Sequence, residues 1–187
     1  MENIITYLKV KEQENTKIAL ELAVKTAREL GIKDIVFAST VGGTAKMMAD
    51  EIDREGLNVT VVTHAFNSEG KNPMDSELRA YIKEKGINVL TAGHALSSGE
   101  RSLSGGFGGV YPLEIIANTL RMFGQGTKVC VEIGAMAADA GIVKSGEPIV
   151  AVGGTGRGAD TVIVLRPQPS STLIKTKIDK IICKPLE

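Results

Sequence analysis

Residues 40–44, Thr-Val-Gly-Gly-Thr, are of types that can bind an anion. Gly42 and Gly43 let the backbone turn sharply and expose its N–H groups, and Thr44 can cap a following helix. A helix N-terminus adds positive partial charge, which stabilises an exposed anion by about 0.3–1 kcal/mol. The stretch fits a phosphate-binding loop, and it fits equally a plain turn that needs glycine for its geometry.

A second glycine-rich stretch, residues 154–160, has the sequence Gly-Thr-Gly-Arg-Gly-Ala-Asp and matches the letters of the dinucleotide-binding fingerprint. That fingerprint requires a helix after the glycines, whereas residues 161–165 form an apolar run typical of a strand. We therefore exclude a Rossmann-type NAD site. Arg157 could pair with a phosphate, or it could be a solvated side chain beside a turn.

His64 and His94 are the two histidines of the chain, and each follows the end of a predicted strand. Both could line one site as polar groups or general acids, or both could be structural side chains. Two histidines without a third suitably spaced ligand do not predict a metal centre. Residues 93–111 are rich in glycine and serine and predict a long loop, which is either disordered or a functional lid, and we assign it as a lid. Within it, Arg101 could clamp an anion or be exposed.

Helical and strand patterns alternate along the chain. Continuous hydrophobic runs between helices indicate a mostly parallel sheet covered on both faces, a three-layer α/β fold. Seven residues, 154–160, join the last two of five strands. A parallel crossover needs about a dozen, so this pair must be antiparallel. We predict helices over about 16–30, 44–55, 75–86, 112–123 and 127–140, strands over 34–39, 59–63, 87–91, 148–153 and 161–165, and an edge strand near 175–183.

Composition restricts the class of protein. The 187 residues suit one domain over 1–187, and the 22 basic and 22 acidic residues cancel, which argues against a general nucleic-acid binder or a polybasic membrane binder. The chain shows neither a signal peptide nor an apolar run long enough to span a bilayer. Cys130 and Cys183 fit no metal or redox spacing, so we expect two reduced packing thiols in a cytoplasmic protein.

In an open parallel sheet, ligands bind beyond the carboxyl ends of the strands, where the strand order reverses. The loops after the first four predicted strands begin at residues 40, 64, 93 and 154 and therefore define the predicted site. Helices antiparallel to these strands begin on the same side. Asn15 and Thr16, which are good N-cap types, thus join the rim of the site.

The pattern Ser39-x-x-Gly42-x-Thr44-Ala45, followed by a helix, resembles the phosphate loop of the pyruvate kinase C-terminal domain. Residues 140–154 and the pair Gly158 and Thr161 resemble that domain as well. In that enzyme the domain binds a regulatory sugar phosphate and takes no part in catalysis. Val41 departs from the pattern, because pyruvate kinase has a phosphate-binding serine there. The barrel and metal site of pyruvate kinase have no room in this chain, so the resemblance does not imply its reaction.

The chain is also similar, over nearly its whole length, to a stand-alone archaeal family of this domain whose members hold flavin mononucleotide (FMN). The similarity lies in residues 15–16, 63–64, 91–96, 100–101, 120–126, 136–141 and 153–161. It implies a five-stranded sheet ordered 3-2-1-4-5 with strand 5 antiparallel. Strands 1 and 4 are then neighbours, and the two glycine-rich loops face each other across one crevice. Pyruvate kinase uses this domain at a subunit interface, which by analogy suggests a homo-oligomer.

We therefore predict that the chain binds a phosphorylated planar ligand, FMN as the resemblance implies, and no nucleic acid or membrane. The phosphate is assigned to the 42–44 amides, and Arg101 to the flavin ring edge. Three functions stay open: a flavin-dependent oxidoreductase, a non-catalytic flavin carrier or sensor, and a regulatory module for a sugar phosphate or nucleotide. The predicted ligand-binding residues are Asn15, Thr16, Ser39, Thr40, Gly42, Gly43, Thr44, Ala45, His64, His94, Ser97, Arg101, Gly154, Thr155, Gly156, Arg157 and Asp160.

Overall fold

One sheet of seven strands runs through the computed structural model, which describes residues 4–9 and 14–186. Its spatial order is β1-β7-β6-β5-β2-β3-β4. Strand β6 is antiparallel to both of its neighbours, and the other neighbouring pairs are parallel. The strands are β1 (Thr6–Leu8), β2 (Asp34–Ala38), β3 (Asn58–His64), β4 (Asn88–Ala92), β5 (Ile149–Gly153), β6 (Thr161–Arg166) and β7 (Lys177–Pro185).

Helices cover both faces of the sheet, so the fold has three layers. Helices α1 (Asn15–Leu30), α2 (Gly43–Glu51) and α3 (Ser76–Glu84) pack on one face. Helices α5 (Pro112–Arg121) and α6 (Gln125–Asp139) pack on the other. Helix α4 (Ser98–Phe107) adds no buried residue, and a short 3-10 helix (Ser170–Lys175) contacts α6.

The strands divide their side chains between the two layers, as the two-residue period of a strand requires. In β2, Ile35 and Phe37 join the core under α1–α3, whereas Val36 joins the core under α5 and α6. Every residue of β5 is buried. Continuous apolar runs were therefore a sound signal of a doubly covered sheet.

The predicted three-layer α/β fold is confirmed. The five predicted strands correspond to β2–β6, lie in the predicted order, and have the last one antiparallel. The strand count was wrong, because β1 and β7 extend the sheet beyond β6. The predicted edge strand near 175–183 is β7, but it lies inside the sheet, since Thr6–Leu8 pairs with its outer side.

The predicted loop over residues 93–111 is wrong in its central part, because residues 98–107 form α4. Contacts with α5 hold this glycine-rich segment helical. The carboxylate of Glu100 accepts hydrogen bonds from the backbone N–H groups of Leu113 (2.8 Å) and Glu114 (3.2 Å) at the start of α5. The Ser104 hydroxyl donates to the Glu114 carboxylate at 2.8 Å. These bonds oppose the low helix propensity of glycine.

Asn15 and Thr16 do not cap α1, contrary to the prediction. Glu14 precedes the helix, and no side chain caps its first turn. Asn15 is buried and donates its amide to the Lys9 carbonyl at 2.7 Å. The Thr16 hydroxyl accepts the Ala159 N–H at 3.0 Å. Both residues thus fasten the start of α1 to other parts of the molecule.

The two cysteines are free and buried, as expected of packing thiols. Burial raises the pKa of the Cys183 thiol to about 12 and that of Cys130 well above its ordinary value. In the part of the chain that the structure describes, no helix has the length and apolar character needed to cross a bilayer.

Close packing of α6 on β5 depends on Gly153. A Cβ there would collide with the Gly126 carbonyl oxygen and lie 3.1 Å from both Cys130 Sγ and Val129 Cβ. We expect Gly153→Ala to lower the free energy of unfolding by about 1–3 kcal/mol, as overpacking does. Urea denaturation measures the change. Gly105→Ala is the control, since a Cβ at that helical position meets nothing within 4 Å; equal stability of the two variants would contradict the packing argument.

Candidate functional site

A cavity of about 750 Å³ opens at the carboxyl ends of β2, β3 and β5. Its size falls within the range of roughly 300–1,000 Å³ typical of small-molecule sites. Its wall includes both glycine-rich loops, both histidines and the first residues of three helices. The lining residues are Thr16, Ala38, Ser39, Thr40, Val41, Gly43, Thr44, Met47, Val62, Thr63, His64, His94, Ser97, Arg101, Arg121, Gln125, Lys128, Val129, Glu132, Ile133, Met136, Gly154, Gly156, Arg157 and Gly158.

The loop after β2 leads directly into α2. Gly42 adopts a φ of 94°, a left-handed conformation that favours glycine, and the helix begins at Gly43. The amides of Gly43 and Thr44 belong to the first turn of α2, where an N–H group has no partner within its own helix. The Ser39 hydroxyl accepts the Ala45 N–H at 3.3 Å. Ser39 therefore holds the turn, and the amides of Gly43 and Thr44 lie at the cavity wall.

The loop after β5 is held closed by Asp160. Its carboxylate accepts the Thr155 N–H at 2.9 Å and the Thr161 hydroxyl at 2.6 Å. A Cβ at Gly154 would collide with the Gly158 carbonyl, so the two ends of the loop approach too closely for any other residue. Asp160 therefore stabilises the conformation of this loop through hydrogen bonds, and it does not line the cavity.

Positive charge dominates the cavity. The N-termini of α1, α2 and α6 reach it through Thr16, Gly43 and Gln125, and each contributes the positive end of a helix dipole. Four cationic side chains also line it, against one carboxylate among the described residues. Neither Arg101 nor Arg157 forms an ion pair with any residue that the structure describes. The cations are Arg101, Arg121, Lys128 and Arg157, and the carboxylate is that of Glu132.

A polar network forms the wall next to α6. The Glu132 carboxylate accepts hydrogen bonds from the Lys128 ammonium at 2.6 Å and from the Leu96 N–H at 3.0 Å. It also lies 3.0 Å from His94 Nδ1. His94 Nε2 lies 3.4 Å from His64 Nδ1, and the two rings meet edge to face with centroids 4.5 Å apart. Glu132 and Lys128 are only 1% and 4% exposed.

The charge state of this network follows from its contacts. Burial alone would raise the pKa of Glu132, but the hydrogen bonds from His94 and Lys128 outweigh burial and lower that pKa to about 2. Burial, together with the electrostatic influence of His94 and the positive charges of Arg101 and Lys128, lowers the pKa of His64 below its ordinary value, although Glu132 opposes the shift. Glu132 is therefore ionised and His64 is neutral near pH 7.

Most of the predicted site residues surround this one cavity. Those that line it are Thr16, Ser39, Thr40, Gly43, Thr44, His64, His94, Ser97, Arg101, Gly154, Gly156 and Arg157. Asn15, Gly42, Ala45, Thr155 and Asp160 do not line it. These five lie in the same turns as lining residues, and they shape or fasten those turns.

The sequence analysis missed the lining residues on α5 and α6, namely Arg121, Gln125, Lys128 and Glu132. A signal for two of them was present. Lys128 and Glu132 are four residues apart in a helix whose other residues between 126 and 138 carry no charge. Such a pair inside an otherwise apolar helix indicates either a buried ion pair or a polar site.

The chain is similar to known proteins. Residues 17–165 match the family model described as the pyruvate kinase alpha/beta domain. A crystal structure of a pyruvate kinase from Cryptosporidium parvum is 16% identical, with 86% of this chain and 24% of that chain covered and a TM-score of 0.43. Cryptosporidium parvum pyruvate kinase in complex with ADP is also 16% identical, with 94% and 25% covered and a TM-score of 0.40. The chain thus spans about a quarter of the length of these pyruvate kinases.

The ionised Glu132 makes stability depend on pH. Its folded-state pKa of about 2 lies below the ordinary 4.5, so its contribution is fully present above pH 4.5 and is lost as the pH falls towards 2. We expect wild type to lose roughly 3 kcal/mol more than Glu132→Gln across this window, at about 1.4 kcal/mol per pKa unit. Urea unfolding at a series of pH values measures the difference, with Glu84→Gln, an exposed position on α3, as the control. If the difference in free energy of unfolding between wild type and Glu132→Gln did not change with pH, the low pKa assigned to Glu132 would be contradicted.

Proposed function

The chain belongs to the pyruvate kinase alpha/beta domain family, and its fold carries a cationic cavity at the ends of the strands. We propose that this cavity binds a phosphorylated planar small molecule, with FMN as the first candidate. The observation that carries the proposal is that both glycine-rich loops line the same cavity. FMN itself enters through the resemblance to the stand-alone archaeal family.

We place the phosphate at the start of α2. The amides of Gly43 and Thr44 would donate to its oxygens, with the hydroxyls of Thr40 and Thr44 assisting. The dipole of α2 favours an anion at this point. Across the cavity, Gly156 would bring its backbone close and Arg157 would supply a charge-assisted hydrogen bond. The absence of an ion pair between Arg157 and any described residue supports this role.

The remaining volume suits a flat, partly apolar group. Met47, Val62, Ile133 and Met136 supply apolar surface to the cavity, and His94, Ser97 and Arg101 supply polar contacts. A flavin would place its ring and ribityl chain among these side chains. Arg101 at the pyrimidine edge of the ring would stabilise a reduced flavin, which carries negative charge there.

Two other functions keep support from the observations. A bound flavin would suit a carrier or sensor as well as an oxidoreductase. A regulatory site for a sugar phosphate would use the same cations and amides, and membership of the pyruvate kinase alpha/beta domain family favours this alternative. Val41 lies in the cavity wall where that enzyme has a phosphate-binding serine, so we place FMN first.

Replacement of Gly43 tests the phosphate position. Gly43→Asp would put a carboxylate at the start of α2, where a Cβ meets nothing within 4 Å. Repulsion and occupation of the site should weaken FMN binding at least about tenfold, equivalent to ~1.4 kcal/mol, as measured by quenching of flavin fluorescence. Gly106→Asp makes the same change at an open helical position outside the cavity wall. Equal FMN affinity in the two variants would remove the phosphate from this position.

A ligand panel separates the three functions. We expect wild type to be yellow on purification or to bind added FMN, and reduction of that flavin by NADH or NADPH would identify an oxidoreductase. Binding without reduction would identify a carrier or sensor. Binding of a sugar bisphosphate instead of FMN would identify the regulatory module. Failure to bind FMN, sugar phosphates and nucleotides would overturn the proposal.

A further inference from the structure

Glu132 and Lys128 are buried charges on α6, whose other buried residues are uncharged. Burying a charge costs several kcal/mol per ion, and apolar residues would fill such a place at least as stably. The Leu96 N–H occupies Glu132 Oε1. This hydrogen bond does not require a charge, because the side-chain oxygen of a neutral glutamine would accept it equally well. An ionised carboxylate is needed by the groups on Oε2, which are the Lys128 ammonium and the His94 ring.

The ionised carboxylate sets the tautomer of His94. Because Nδ1 lies 3.0 Å from Glu132 Oε2, this nitrogen carries the proton and its N–H donates a hydrogen bond to the carboxylate. In neutral His94 the other nitrogen, Nε2, is then an acceptor. Its neighbour is His64 Nδ1 at 3.4 Å, which must therefore be the protonated nitrogen of His64. Two successive rings are thus aligned by one buried carboxylate.

His64 lies at the end of this chain of groups. With its proton on Nδ1, its Nε2 keeps a free lone pair, and this atom has no hydrogen-bond partner among the residues that the structure describes. His64 lines the cavity, and its backbone carbonyl accepts the Asn72 amide at 2.6 Å, which fixes the end of β3. The positive charges of Arg101 and Lys128 favour its neutral form. The cavity wall therefore presents an oriented, unprotonated imidazole nitrogen.

We propose that the cavity is a proton-transfer site in which His64 is the catalytic residue, with His94 and Glu132 as positioning residues. His64 Nε2 takes a proton from an acidic C–H, N–H or O–H of the bound molecule. The bond to hydrogen breaks, an N–H bond forms, and the electron pair stays on the molecule as an anion. Glu132 stabilises the resulting imidazolium through His94. The reverse step returns the proton, so no oxidant or reductant is needed.

The charges fit a substrate that becomes more negative as it reacts. Arg101 lines the cavity without an acidic partner among the described residues, so it is available to the developing anion. Lys128 keeps Glu132 ionised and available to the imidazolium. The substrate class is therefore a small molecule with a proton made acidic by a neighbouring electron-withdrawing group, and the chemistry is general acid–base catalysis.

The Kemp elimination of a nitrobenzisoxazole measures this activity without a natural substrate. A base removes the C–H proton of this planar probe, its N–O bond breaks, and a coloured cyanonitrophenolate forms. We expect wild type to exceed free imidazole at equal concentration and His64→Gln to be about 100-fold slower, the lower end of general-base contributions. A wild-type rate no higher than that of imidazole, or an unchanged rate in folded His64→Gln, would overturn the proposal.

The pH profile separates positioning from mere structural support. The wild-type rate should rise with pH through the pKa of His64, below the ordinary 6.5. Glu132→Gln removes a charge that raises this pKa, so its inflection should move to lower pH and its rate should fall. Glu84→Gln makes the same change outside the cavity and should leave both unchanged. If the pH–rate profile of Glu132→Gln had its inflection at the same pH as wild type, the positioning role of Glu132 would be refuted.

Diethyl pyrocarbonate tests the same geometry on the unaltered chain, whose two histidines are readily resolved by mass spectrometry. We expect His64 to be carbethoxylated before His94, because His94 Nε2 faces His64. The opposite order would contradict the arrangement. Neither this reagent nor the Kemp probe carries a phosphate, so failure of the proton-transfer proposal is distinguishable from failure of FMN binding.

Discussion

The reversal of strand order at β2 is the constraint on which the cavity depends. Strand β2 pairs with β3 on one side and with β5 on the other, and all three run parallel. The chain leaves β2 towards β3 and β4, crosses the other face through α5 and α6, and returns to β5. The connections after β2 and β5 therefore separate at the sheet edge and leave a crevice between them.

The close approach of α6 to β5 places polar and charged side chains of that helix in the wall of the crevice. A Cβ on Gly153 would collide with the Gly126 carbonyl oxygen, and a Cβ on Gly126 would collide with the Thr161 side chain, so neither position tolerates a side chain. Helix α6 consequently begins beside the end of β5, with Gln125, Lys128 and Glu132 in the cavity wall. The glycine loops contribute backbone amides but few side chains. The buried charges must therefore come from the helix, and the glycine contact decides where that helix lies.

The sequence predicted the central strands because β2, β3 and β5 are continuous apolar runs, and the antiparallel β6 because its connection is too short for a crossover. Helix α4 was missed, since Gly105 and Gly106 weaken its intrinsic preference and the stabilising bonds of Glu100 come from α5. The inner position of β7 was missed as well. It depends on the three-residue strand β1, whose pairing partner lies more than 170 residues away.

The site residues in loops at the strand ends could be predicted from the sequence, whereas those on helix α6 could not. Loops at strand ends must meet at one edge, so Thr40, Gly43, Gly156 and Arg157 could be grouped from the sequence alone. Whether Glu132 faces the cavity depends on the rotation of α6, which only packing sets. Net charge is equally silent here: the chain is neutral overall, yet this cavity is strongly cationic. Net charge sums over the whole chain, so a local excess of positive charge that attracts an anionic ligand does not show in the total.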